Sequence, residues 1–228
     1  DYDQMSSIPG LFVAGEAGWA YHGANRLGAN SLLSACVDGW FTLPYSVPNY
    51  LAGHLGEQPL DGDHPAVRAA VDDVRQRIEH LLGIGGSTSP ESFHAQLGEI
   101  LYRRCGVSRT AEGLRRGIAE IRELSERFHR DLRVVGTGDR LNQELEHAGR
   151  VQDYLELAEL MCVDALDRDE SAGAHFREEH RTEQGEALRD DEHWCFVSAW
   201  QRGADGQHIR RAEPLTFTAV PLQTRNYS

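Results

Sequence analysis

Apolar residues recur at two distinct spacings along this chain, and the change between them marks out its organisation. Leu11 to Ala14 is a short apolar run closed by Gly15 and Glu16, which predicts a buried strand. Gly18, Gly23 and Gly28 punctuate the polar loop that follows. Leu32, Leu33, Cys36, Val37, Trp40 and Phe41 then predict a buried helix, with Asn30 or Ser31 as its N-cap and Pro44 bending or ending it. From Pro65 to Leu82, Val67, Val71, Val74, Ile78, Leu81 and Leu82 keep helical spacing until GIGGSTSP stops the helix.

Three further helices follow. One starts at Ser89-Pro90 and turns Phe93, Leu97, Ile100 and Leu101 inward, with proline at the first helical position. The next runs from about Thr110 to Leu132, and the last carries Leu141, Leu145, Val151, Leu155, Ala158, Cys162 and Leu166. Long amphipathic helices joined by short loops predict an antiparallel bundle whose stripes are core packing. Beyond Asp167 the texture becomes charged and irregular, and CFVSAW and PLTFTAV around the turn GADGQ predict a closing hairpin. The fold class expected is α+β: a strand, glycine-rich loop and helix over residues 1–56, the helical bundle over 57–168, and a small β-containing region over 169–228.

Composition narrows the function classes. The 228 residues carry 36 acidic against 23 basic side chains, a formal charge of -13, which argues against a surface that neutralises nucleic-acid phosphates. No apolar run approaches the roughly 20 residues needed to cross a bilayer. Cys36, Cys105, Cys162 and Cys195 are far apart, show no metal-ligand spacing, and read as free thiols in a reducing compartment. The opening DYDQMSSIPGLFVAGE has no initiator Met and runs straight into the expected strand, the pattern of a piece cut from a longer chain.

Residues 8–40 carry the chemistry. They place Glu16 at a strand end, the Arg26 guanidinium in a glycine-flanked loop, and a helix N-terminus at Asn30 to Leu32. Unpaired amides at that helix start can stabilise developing negative charge, and Arg26 can hold a carboxylate through two parallel hydrogen bonds. The same arginine could serve only as a structural ion-pair residue, and Ser31 only as a cap. Elsewhere, His175, Arg177 and the pair Asp190-Asp191 read as an architectural knot, and Cys105 as a buried helix-end thiol. His54, His64, His80, His94, His129, His147, His180, His193 and His208 show no ligand spacing, so no metal site is expected.

PGLFVAGE followed by HGANRLGANSLL resembles the closing FAD-contact segment of the succinate dehydrogenase, fumarate reductase and aspartate oxidase flavoproteins. VDGWFTLPYSVPNYLAG, YRRCGVSRT, NQELEHAGRVQDYLELAE, the insert EEHRTEQGEALRDDEHW and the ending LQTRNYS extend the likeness over nearly the whole chain, toward the menaquinone-coupled branch rather than the mitochondrial type. The resemblance implies that residues 1–56 close an FAD-binding domain, with Glu16, Ser31 and Leu32 on the cofactor and Arg26 on the carboxylate of a C4 dicarboxylate. It gives His22 and Asn25 a flavin-edge or structural role. It implies interconversion of succinate and fumarate as part of the tricarboxylic acid cycle and electron transport, with hydride passing to the flavin. The catalytic proton-shuttling arginine and the dinucleotide-binding GxGxxG are expected upstream, so the chain alone should be inactive.

Implied partners are an iron–sulfur subunit and, indirectly, a membrane-anchor subunit delivering to or from quinone. The implied location is cytoplasmic, peripheral on the inner face of the cell membrane. Many relatives carry Arg or Cys where this chain has Ala172, so that loop receives no catalytic role. L-aspartate oxidase is the alternative enzyme, and the C-terminal RDDEHWCFVSAW and TRNY argue against it. A non-catalytic structural or partner-docking module is the alternative of a different class.

Overall fold

The computed structural model describes residues 1–204 and 206–223, apart from the side chains of residues 20 and 21. The chain divides into two compact units, residues 1–74 and 75–228.

In the first unit the expected strand at Leu11–Ala14 is extended backbone whose ladder is a single antiparallel bridge between Met5 and Phe12. A 3₁₀ segment, Gly15–Tyr21, follows, and then α1, Asn30–Val37. Neither Asn30 nor Ser31 caps α1. Ala29 occupies the cap position in the left-handed region (φ 66°) without a side-chain bond, and turns the chain so that both candidates already lie inside the helix. A π-turn, Asp38–Thr42, joins α1 to α2, Leu43–Ala52. Pro44 falls in the first turn of α2, where its missing N–H breaks no helical bond, so it closes one helical register and opens the next. The expected burial of α1 is not found: Leu32, Leu33, Trp40 and Phe41 are 60–78% exposed, and Ser34 and Asp38 are the buried side chains of this run. A helical stripe shows only that a face could be buried, and no described residue covers this one.

α3, Pro65–Gly83, crosses from one unit into the next. The second unit is built on α4, Pro90–Arg104, α5, Ala111–Asp131, and α6, Gln143–Asp167. Each of the three starts on a side-chain cap: Ser89, Thr110 and Asn142 accept from the amides of Ser92, Gly113 and Leu145 at 3.3, 3.0 and 3.1 Å. Such caps each stabilise a helix by about 1 kcal/mol. Between the helices lies one core of Leu81, Phe93, Leu97, Leu114, Ile121, Leu124, Phe128, Val151, Leu155 and Cys162. Phe93 and Phe128 meet edge to face, 5.2 Å between centroids. Leu141, expected on the stripe of α6, precedes the helix and is exposed.

After α6 the chain forms a compact knot, a short α7 at Asp191–Trp194, and a hairpin of β1, Phe196–Arg202, with β2, His208–Pro214. The second strand is therefore HIRRAEP and not PLTFTAV. The pairing runs out to Arg202 with His208, and the connection between them fixes the register. The hairpin is tied along α6 by Trp200 Nε1 donating to Asp164 at 2.6 Å, by Arg210 paired with Asp167, and by Arg202 paired with Glu156. Asp205 of the turn and the TRNY ending lie outside the described residues.

Candidate functional site

Gly15 fixes the start of the glycine-rich loop. Its φ is +64°, and a Cβ there would stand 3.2 Å from both Cα and Cβ of Ala35 on α1, so a side chain would be strained and crowded at once. Its amide donates to the buried Asp38 carboxylate at 2.7 Å. Asp38 was invisible to the sequence reading, because a lone acid inside an apolar stripe reads as an interruption. Its signal was position, one helical turn past Ala35 on the face that the loop approaches.

From this anchor the 3₁₀ segment sets Glu16 in its first turn, and the loop returns Arg26 to it: Arg26 Nε donates to Glu16 Oε1 at 2.8 Å. Two residues ten positions apart are thus joined, both a third to a half exposed. A pair this exposed contributes at most about 1 kcal/mol to stability. Arg26 Nη1 also donates to the Leu27 carbonyl at 3.3 Å, which holds the guanidinium against its own loop.

His22 ends the 3₁₀ segment, its amide donating to Trp19 O at 2.9 Å and its ring edge-on to Trp19 at 5.1 Å. Trp19 in turn donates to Gly23 O at 2.7 Å, so histidine and tryptophan together shape the turn at Gly23. Asn25 lies exposed in the bend before Arg26. Ser31 and Leu32 stand in the first turn of α1, where amides have no helical acceptor. That turn contains no acidic residue, so nothing on the helix itself offsets its positive end.

The other singled-out residues form a structural centre in the second unit. Arg177 is buried and donates to the carbonyls of Ala165, Leu166 and Arg168 at the end of α6, and to Glu179. The segment after Asp167 is therefore more than a solvated loop, since Glu170, Ser171 and Arg177 are all at most 4% exposed. Asp190 caps α7 through the His193 amide, and Asp191 pairs with Arg189. Ala172 sits in a tight turn bridged to His175. Cys105 is a buried thiol at the C-terminal end of α4 beside Cys162. The Cys105 sulfur lies 3.9 Å from the Met161 carbonyl oxygen, and the neighbouring Cys162, with Arg109 beside it, holds the Cys105 pKa below the ordinary thiol value while pushing that of Cys162 up. All four cysteines are free.

Among the described residues no helix is long and apolar enough to cross a membrane. The family described as Fumarate reductase flavoprotein C-term matches residues 94–227, and the chain belongs to this family of succinate dehydrogenase and fumarate reductase flavoproteins. It is 34% identical to the succinate dehydrogenase flavoprotein subunit of Bacillus subtilis over 194 residues, which cover 85% of this chain and 32% of that one. It is 31% identical to the fumarate reductase flavoprotein subunit of Escherichia coli K12, over all of this chain and 36% of the relative. Its fold matches a FrdA variant of E. coli quinol fumarate reductase with a TM-score of 0.79 and 29% identity, over 97% of this chain and 36% of that one. The chain thus spans about a third of the length of these relatives.

Proposed function

We propose that this chain is the C-terminal part of an FAD-dependent oxidoreductase that interconverts succinate and fumarate and exchanges electrons with quinone through an iron–sulfur subunit. What supports the site assignment most is the Glu16–Arg26 pair, held by the Gly15–Asp38 anchor on the same loop that leads into the acid-free first turn of α1. The residues present fit one edge of a flavin. Among the described residues, adjoining ones apart, no atom lies within 4 Å of where a Cβ would stand at Gly23 or Gly28, so a planar ring can approach that backbone closely. Leu32 and Leu33 offer exposed apolar contact beside it.

In this reading FAD supplies the two-electron chemistry when bound. The chain's own residues orient and stabilise. With FAD bound, the amides of Ser31 and Leu32 in the first turn of α1 would hold its ring and stabilise negative charge on the edge facing them. Arg26 keeps Glu16 on Nε and the Leu27 carbonyl on one Nη1 hydrogen, and its remaining Nη hydrogens would hold a substrate carboxylate, fixing a C4 dicarboxylate for reaction. Glu16 serves the cofactor, and His22 and Asn25 shape the loop at the flavin edge. No residue of this chain moves the proton; that arginine belongs to the upstream segment. The iron–sulfur and membrane-anchor partners, a menaquinone-type acceptor and a peripheral position on the inner face of the cell membrane follow from the same reading.

The test is flavin content and succinate-dependent dye reduction, comparing the chain alone with the chain co-produced with an upstream GxGxxG segment. The complex is expected to hold flavin and turn over, and the chain alone to do neither. Arg26→Ala in the complex should keep flavin and lose on the order of a hundredfold in kcat/KM for succinate, as misplaced reactants do. Arg26→Lys, which keeps the charge without the fork, should recover little. A flavin-free, inactive complex would leave a docking module as the better description.

A further inference from the structure

Three residues that the sequence scatters come together between α4 and α6. Glu91 and His94 lie three apart on one face of α4, and His147 lies on the second turn of α6. His147 Nε2 is 3.2 Å from His94 Nδ1, and His147 Nδ1 is 3.6 Å from Glu91 Oε2. One ligand atom from each falls within 4.8 Å of the other two. We propose that Glu91, His94 and His147 form a binding site for a borderline-soft divalent cation of the zinc type, clamping α4 to α6.

Distance supports this reading. Nitrogen–zinc bonds of 2.0–2.1 Å at a tetrahedral angle put two imidazole nitrogens about 3.4 Å apart, so the facing nitrogens need to part by only a few tenths of an ångström. The third ligand is the mobile one: the Glu91 side chain is 79% exposed and can swing toward the gap between the rings. Two imidazoles and one carboxylate, with water in the fourth position, suit zinc, cobalt or nickel, whereas magnesium and calcium require mainly oxygen ligands.

The scaffold under the two rings is firm. Pro90 and Phe93 flank Glu91 and His94 on α4, Ala148 and Val151 follow His147 on α6, and all four are buried in the core. Ser89 caps the start of α4. The Tyr154 ring lies 5.7 Å from His94, and Arg150, one turn along α6 from His147, is neutralised by Glu146. The two imidazoles are 53 residues apart in sequence, so a shared cation holds two elements that the chain joins only through α5. It binds the folded arrangement better than the unfolded one and stabilises the bundle by mass action.

The experiment uses the full 228-residue chain, freed of metal and titrated with zinc chloride by calorimetry, with melting followed in parallel. One zinc per chain and a raised Tm are expected, and magnesium and calcium chloride should give neither. His94→Ala, His147→Ala and Glu91→Gln should each weaken binding on the order of tenfold or more, the loss that even an outer partner's removal causes at a metal site. His94→Gln and His147→Gln keep a hydrogen-bonding side chain and should melt like the parent without metal while still failing to bind. The idea falls if the parent takes up no stoichiometric zinc, or if the paired His94→Ala/His147→Ala variant binds as the parent does. Loss in the histidine variants with Glu91→Gln unchanged would remove the carboxylate and overturn the three-ligand site.

Discussion

His175 is held by partners that dictate where its proton sits. Arg109 Nη1 lies 2.9 Å from Nδ1, and a guanidinium can only donate, so Nδ1 must accept. Nε2, 3.0 Å from the Arg168 carbonyl, therefore carries the hydrogen. The ring is neutral by construction, and its pKa lies below the ordinary 6.5, because of burial first and then the nearby cations of Arg109, Arg177 and Arg168. The sign of the consequence follows. Between 6.5 and the lower native value the unfolded chain holds a proton that the native chain does not, so stability rises with pH and is lost as pH falls through that window. Urea midpoints measured at pH 7, 6 and 5 should fall less steeply for His175→Gln than for the parent. Parallel pH profiles would show that another group carries the effect, and His129 on α5, its pKa also lowered by partial desolvation and by His80, is the control to vary next.

At the scale of elements, the turn between α3 and α4 is welded to the end of α5. Gly86 N donates to Leu132 O at 2.9 Å, and Asp131 accepts from the Ser87 amide and from the Ser87 and Thr88 hydroxyls. A Cβ at Gly86 would lie 2.2–2.4 Å from the backbone of Asp131, which cannot yield as a side-chain tip can. Gly86→Ala should therefore cost about 3 kcal/mol, the upper range for overpacking, read as a fall in the urea midpoint. Gly98, exposed in α4 with no described atom within 4 Å of its Cβ position, is the counterpart: Gly98→Ala should gain about 0.8 kcal/mol from helix propensity. Equal effects at the two positions would mean that backbone entropy outweighs the close approach. Sequence made the helices legible because Ser89-Pro90 and Thr110 stand where the 3.6-residue stripes begin, two independent signals agreeing. It hid β2, since HIRRAEP is polar on both faces and its strand character comes from the turn. It hid the Glu91–His94–His147 cluster because no linear spacing connects α4 to α6. Glu16 and Arg26 were legible as parts of a motif, whereas their direct pairing and the Asp38 anchor depend on how the loop folds back.

The distribution of burial over the whole molecule separates its two units. Every buried hydrophobic residue among those described lies between Leu81 and Ala165, while the first unit exposes Leu32, Leu33, Trp40, Phe41 and Tyr45. Apolar burial is the dominant favourable term in folding, so residues 75–228 hold the cooperative stability and residues 1–74 rest mainly on local helix and polar anchors. Two measurements on the 228-residue chain follow. Limited proteolysis should cut within residues 1–74 first and leave a resistant fragment containing α4 to α6. Leu114→Ala, deep in that fragment, should lower stability by about 3 kcal/mol through the cavity it leaves, and Trp40→Ala should leave the main transition in place while reducing self-association through the exposed face. First cuts in α5 or α6, or a large loss from Trp40→Ala, would place the stabilising core elsewhere. The same digestion bears on the proposed function, because a first unit that completes a flavin site should gain protection when the upstream segment is supplied. A first unit cut equally fast with and without that segment would separate the glycine-rich loop from the role assigned to it.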